Sequence, residues 1–130
     1  MHISNRKLYK ELFLFYNMKI KRKNPKKEES IFLDFIGDSP TTRLLEYLII
    51  GRDFDYTLTD LMAAGLSWST LNRIFPHFLR NKIVLQTRKI GKIKLYRLNQ
   101  ENPFIKKFVE LFDAMISAQL KEKLKPKLAA

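Results

Sequence analysis

Apolar residues recur along this chain with two different periods, and the changes of period mark out its elements. Leu8, Leu12 and Phe15, with Tyr9, Phe13 and Tyr16 beside them, fall at helical spacing and predict a short amphipathic helix over residues 4 to 17. The run IFLDFIG, residues 31 to 37, is apolar but too short to declare a period. Ser39 before Pro40 predicts an N-cap with proline in the first helical position. Leu44, Leu45, Leu48 and Ile49 then form the stripe of a first core helix closed by Gly51. Residues 54 to 56, Phe-Asp-Tyr, alternate as a short strand would. Thr57 and Asp60 have capping-box spacing ahead of Leu61 and Met62, and Gly65 is placed to end a second helix of about two turns.

Ser67 caps a third helix after almost no linker. At 100° per residue, Leu71, Ile74, Phe75 and Phe78 gather on one side, opposite Ser69, Arg73, Pro76 and Arg80, with Thr70, Asn72 and His77 flanking these. Pro76 lacks a donor and crowds the carbonyl of Asn72, so a kink is expected there rather than a stop at Phe75. Two strand-like runs, KIVLQT and KIKLYRL, meet around Gly91, which can take the positive φ of a tight hairpin. Phe104, Ile105, Phe108, Phe112, Met115, Ile116 and, more weakly, Leu120 then predict a C-terminal helix of about six turns. Its apolar residues exceed what a small core needs, which suggests a partner helix.

Charge changes the picture. The formal net charge is +12, and residues 1 to 27 hold nine Lys/Arg against the single acid Glu11. The stretch MKIKRKNPKKEES reads as an exposed basic arm or linker, because its cations repel one another and Pro25 disfavours helix at Asn24. Met18 within it is an alternative start to Met1. Between Asp60 and Glu101 lie eight Lys/Arg and no acid. Ordinary solvated surfaces mix both signs, so this segregation points to a polyanionic partner. The chain has no cysteine, which excludes disulfides, thiolate metal sites and cysteine catalysis. No apolar run approaches a membrane span, and a cytoplasmic location is expected. No Gly-rich phosphate loop or catalytic constellation assembles, so no enzyme activity and no cofactor are expected.

Helix, short strand, helix, tight turn, helix, hairpin, helix is the order of a winged helix-turn-helix domain: mainly α with a small β-hairpin, extended here by N- and C-terminal helices. In such a domain the third helix enters the major groove of duplex DNA and the hairpin, or wing, lies along the backbone or the minor groove. GDSPTTRLLEYLI, DYTLTDLMAAGLSWSTLNRIFPHF and TRKIGKIKLYRLNQENP resemble archaeal winged-helix transcriptional regulators of the broad MarR/ArsR-like group, over roughly residues 35 to 115. The resemblance implies sequence-selective double-stranded DNA binding as a homodimer. Proline within the third helix is familiar in that group.

The residues then divide by role. Arg73 is the first choice for base readout, since a guanidinium can bond guanine O6 and N7 together; Asn72 can do the same for adenine. Ser69 and Thr70 suit phosphate contacts through hydroxyl and backbone N–H. Arg88, Lys89 and Lys92 at the wing tip suit phosphate or a narrow minor groove; Lys94 is grouped with them, while for both Lys94 and Arg97 a strand face that never touches DNA remains the open alternative. Arg80 and His77 lie on the same helix surface. His77 is read as a surface or phosphate-contacting residue and not as a metal ligand, because His2 is the only other histidine. Trp68 and Tyr96 are expected to pack rather than stack on bases.

The division is an N-terminal helix and basic arm to residue 30, a DNA-binding domain over 31 to 101, and a C-terminal helix over 102 to 130. Phe108, Phe112, Met115 and Ile116, with Leu8, Leu12 and Phe15, are expected to dimerise it. No membrane partner is expected, and no effector site is visible. Two alternatives remain open: a replication, partition or chromatin protein of low base specificity, and a winged-helix protein-interaction module.

Overall fold

Each of the first four α-helices among the described residues begins on a side-chain hydroxyl. The computed structural model describes residues 30–129; the helix expected over 4 to 17, the basic arm, and Leu8, Leu12 and Phe15 lie outside the described residues. Ser30 caps α1 (Ile31–Ile36) by accepting from Leu33 N, and Ser39 caps α2 (Pro40–Ile50) in a reciprocal box with Thr42. Thr57 and Asp60 form the expected box on α3 (Leu58–Leu61), and Ser67 accepts from Thr70 N to start α4 (Trp68–Arg80). Each such cap satisfies a backbone donor the helix leaves open, a contribution of about 1 kcal/mol.

The ambiguous run after Ser30 is therefore a helix, with Phe32 fully buried within it. In α2 the expected stripe of Leu44, Leu45, Leu48 and Ile49 is buried, together with Glu46, whose carboxylate accepts a hydrogen bond from the Ser30 hydroxyl. The second helix is a single α-turn followed by a 3-10 turn, Met62–Ala64, which Gly65 ends at φ +90°. Helix α4 buries Leu71, Ile74, Phe75 and Phe78 and continues through Pro76 to Arg80. Pro76 lies on the exposed side, so its ring meets solvent and the cost is one missing donor to the Asn72 carbonyl.

Lys82, at φ +55°, turns the chain from α4 into the hairpin. A non-glycine residue there needs support, and the Asn99 and Asn102 side-chain amides both donate to its carbonyl, at 3.0 and 3.1 Å. Strands β1 (Val84–Ile90) and β2 (Ile93–Leu98) pair antiparallel around Gly91 at φ +62°. The pairs run Ile90 with Ile93, Lys89 with Lys94 and Arg88 with Leu95; a bulge at Thr87 then resets the register to Gln86 with Tyr96. The segment 54 to 56 is not a strand. It contributes one bridge, in which Tyr56 and Tyr96 exchange backbone hydrogen bonds at 2.7 and 2.8 Å.

Helix α5 (Pro103–Ala129) closes the core with Ile105 and Phe112. Phe112 meets the Phe32 ring edge-on at 5.6 Å between centroids. Next to it in the chain, Asp113 accepts from Arg52 at 2.8 and 3.2 Å, joining the end of α2 to α5. Phe75 of α4 packs edge-on against Tyr96 at 4.8 Å, so the back of α4 rests on the inner side of the hairpin. No helix of the described residues is long and apolar enough to cross a membrane.

Candidate nucleic-acid interface

With four apolar side chains of α4 committed to the core, its other side is dominated by polar and cationic residues. Ser69, Asn72, Arg73, His77 and Arg80 are exposed, and no acid is present anywhere in the helix. The Arg73 side chain makes no hydrogen bond or ion pair with any described residue. Its five donors therefore face solvent, the condition a bidentate base contact requires. Asn72 is more constrained: its amide donates to Trp68 O at 2.8 Å.

Around the start of α4 the structure corrects one expectation. The backbone N–H of Thr70 is bound by Ser67 Oγ at 3.2 Å, and the two hydroxyls lie 2.9 Å apart, so that N–H is not open to phosphate. The Ser69 hydroxyl joins the same cluster at 3.3 Å from Ser67 but stays exposed. Trp68 differs too: the first residue of the helix, it remains 49% exposed. At the other end, His77 Nδ1 lies 3.2 Å from the Asn81 amide and 3.5 Å from the Arg80 guanidinium, a surface network over the last turn. Among the described residues no group of three His, Asp or Glu could hold a metal ion.

The wing behaves differently. Lys89, Lys92 and Lys94 are exposed and unpaired among the described residues, but Arg88 is held. Its Nε donates to Asp55 Oδ2 at 2.8 Å and its terminal nitrogen to Oδ1 at 3.3 Å, while Thr87 Oγ1, in the bulge, donates to Oδ2 at 2.9 Å. Asp55 lies beside Tyr56, so the clasp fastens the bulge to the segment bridged to β2. The Arg88 hydrogen bond, then that of Thr87, holds the Asp55 carboxyl below the usual carboxylate range. Local charge gives no sign of Asp55, because it lies just outside the acid-free interval and reaches Arg88 across 33 positions. Arg97 is exposed on the strand opposite Leu85.

The C-terminal stripe also separates. Phe112 is buried in its own chain against Phe32, so it is not a surface for a second copy. Phe108, Met115 and Ile116 pack against the core while remaining partly accessible, and Phe104, expected on the same stripe, is 76% exposed.

No protein-family model and no curated protein matches the sequence. Solved structures do. The multidrug efflux pump regulator MepR of Staphylococcus aureus matches with a TM-score of 0.50 and 19% identity, over 93% of each chain. A point mutant of MepR, from a multidrug-resistant clinical isolate, reaches 0.53 at 18% identity over 91% of this chain and 82% of that one. The adhesin competence repressor AdcR of Streptococcus pyogenes reaches 0.51 at 14% identity, over 93% and 82%. The fold is a winged helix-turn-helix. Within it α4 is the helix that precedes the hairpin and β1–β2 is the wing; at these identities the likeness concerns the fold.

Proposed function

We propose that this protein is a transcriptional regulator that binds duplex DNA sequence-selectively, with α4 in the major groove and the wing on the adjoining backbone or minor groove. The observation that carries the reading is the two-sided α4: an apolar back sealed into the core, and an acid-free front on which Arg73 is unengaged among the described residues. A helix with that front matches the spacing and charge of a groove lined by phosphates. Ser69, Asn72 and Arg73 face the bases and nearby phosphates. His77 and Arg80 lie toward the backbone at the far end of the helix, and Lys89, Lys92 and Lys94 meet phosphates beside the wing. The fold shared with MepR and AdcR, described as a transcription regulator and a repressor, supports the same reading.

The protein acts as a cytoplasmic homodimer on a near-palindromic site, with Phe108, Met115 and Ile116 of α5 and the N-terminal Leu8, Leu12 and Phe15 at the contact between copies. Selection of bound fragments from random duplex DNA, followed by sequencing, tests the reading. A shared motif with two half-sites about one helical turn apart is expected. Recovery of random sequence, with equal competition by any duplex, would favour a coating protein instead.

A further inference from the structure

The wing tip carries an apolar feature in an otherwise basic segment: two isoleucines. Ile90 and Ile93 are direct cross-strand partners on either side of Gly91 and Lys92, so they project from the same face of the hairpin. Each is 56% exposed, whereas most other aliphatic side chains among the described residues are buried or packed against the core. The next pair inward, Lys89 with Lys94, projects from the opposite face, and Lys92 sits in the turn itself. Arg88, the cation best suited by shape to a narrow groove, is drawn back to Asp55. The tip thus presents an apolar pair on one face, a lysine in the adjoining turn and two lysines on the other face.

We propose that Ile90 and Ile93 are a minor-groove contact that selects A·T pairs outboard of the bases read by α4. This rests on the DNA-binding reading above. The lysines supply the charge complementarity that brings the tip to a phosphate-lined groove. The aliphatic surface then meets the groove floor. A·T pairs show only acceptors there, whereas G·C adds the guanine 2-amino group, whose donor an isoleucine would cover without replacing its hydrogen bond to water. Apolar side chains seated in the minor groove also open base steps, which A·T-rich sequence resists less at its pyrimidine–purine steps.

The test uses the full chain and a duplex recovered by the selection, with the half-turn outboard of the position lost in Arg73→Ala made A·T, G·C or inosine·C. Inosine·C has the major-groove face of G·C without the 2-amino group. The expected result is equal binding to the A·T and inosine·C versions and about tenfold weaker binding to G·C. Ile90→Thr/Ile93→Thr, which keeps β-branched residues in the strands, should bring the three within about twofold, and Ile90→Val/Ile93→Val should restore the difference. A melting curve for each variant separates loss of contact from loss of fold. Equal wild-type affinity for all three flanks, inosine·C behaving as G·C, or retained discrimination in the threonine variant would overturn the proposal while leaving the regulator reading intact. A wild-type chain that binds no duplex would remove that reading and this one together.

Discussion

Helix α4 and the hairpin look alike in sequence, each cationic and each without an acid, yet they differ in space. On α4 the front is left open and Arg73 has no partner among the described residues. On the wing, Arg88 is engaged by an acid from a segment 33 positions earlier. An acid-free interval of sequence is therefore not an acid-free surface: a helix can keep its charge pattern because its neighbours on one face are its own residues, whereas a strand lies beside whatever the fold brings to it.

Substitutions put that contrast to the test. Phe78→Ala empties an enclosed position behind α4 and should destabilise the protein by about 3–5 kcal/mol in denaturant unfolding, disturbing helix and wing together. Arg73→Ala should leave the melting temperature unchanged but cost about 1–3 kcal/mol of affinity for the selected site and flatten the preference at one base position. If its loss instead weakens all sequences equally, the open front of α4 is only a phosphate contact. Lys92→Ala acts on the wing alone; the slope of log affinity against log salt should fall by ~0.9 without any change in base preference.

The smallest effect is expected from Asp55→Asn, which should speed amide exchange in β1 and β2 at neutral pH. Because the Asp55 carboxyl titrates below its unfolded value, its contribution is present above about pH 4 and lost as the pH falls through the folded value. Wild type and variant should converge on acidification. Equal exchange at pH 7 would show that the clasp does not fasten the wing, and the contrast between the two surfaces would close.

What can be read in the sequence is what depends on near neighbours. The caps at Ser39, Thr57 and Ser67, the left-handed Gly65 and Gly91, and the buried faces of α2 and α4 all follow from residues within a few turns of one another. The run at Ile31 does not declare itself, since six residues show too little of any period. Residues 54 to 56 alternate as a strand does, but only Tyr56 finds a partner, and that partner is Tyr96. Phe112 shares its stripe with Met115 and Ile116; nothing local says that Phe32, far off in the chain, takes it into the core. For the same reason the Asp55 clasp emerges only in three dimensions, while the exposed front of α4 follows from periodicity alone.

The joint at Lys82 bears on anyone wishing to trim this protein. A cut after Leu98, where the last strand ends, would strip both asparagine amides from a carbonyl that depends on them and leave a left-handed lysine to hold its turn unaided. A cut a few residues later would still remove the phenyl ring that Phe32 leans on and the carboxylate that neutralises Arg52. The smallest fragment that keeps the hairpin and α4 seated as they are must therefore extend past Asp113, carrying the front portion of the terminal rod as a keel.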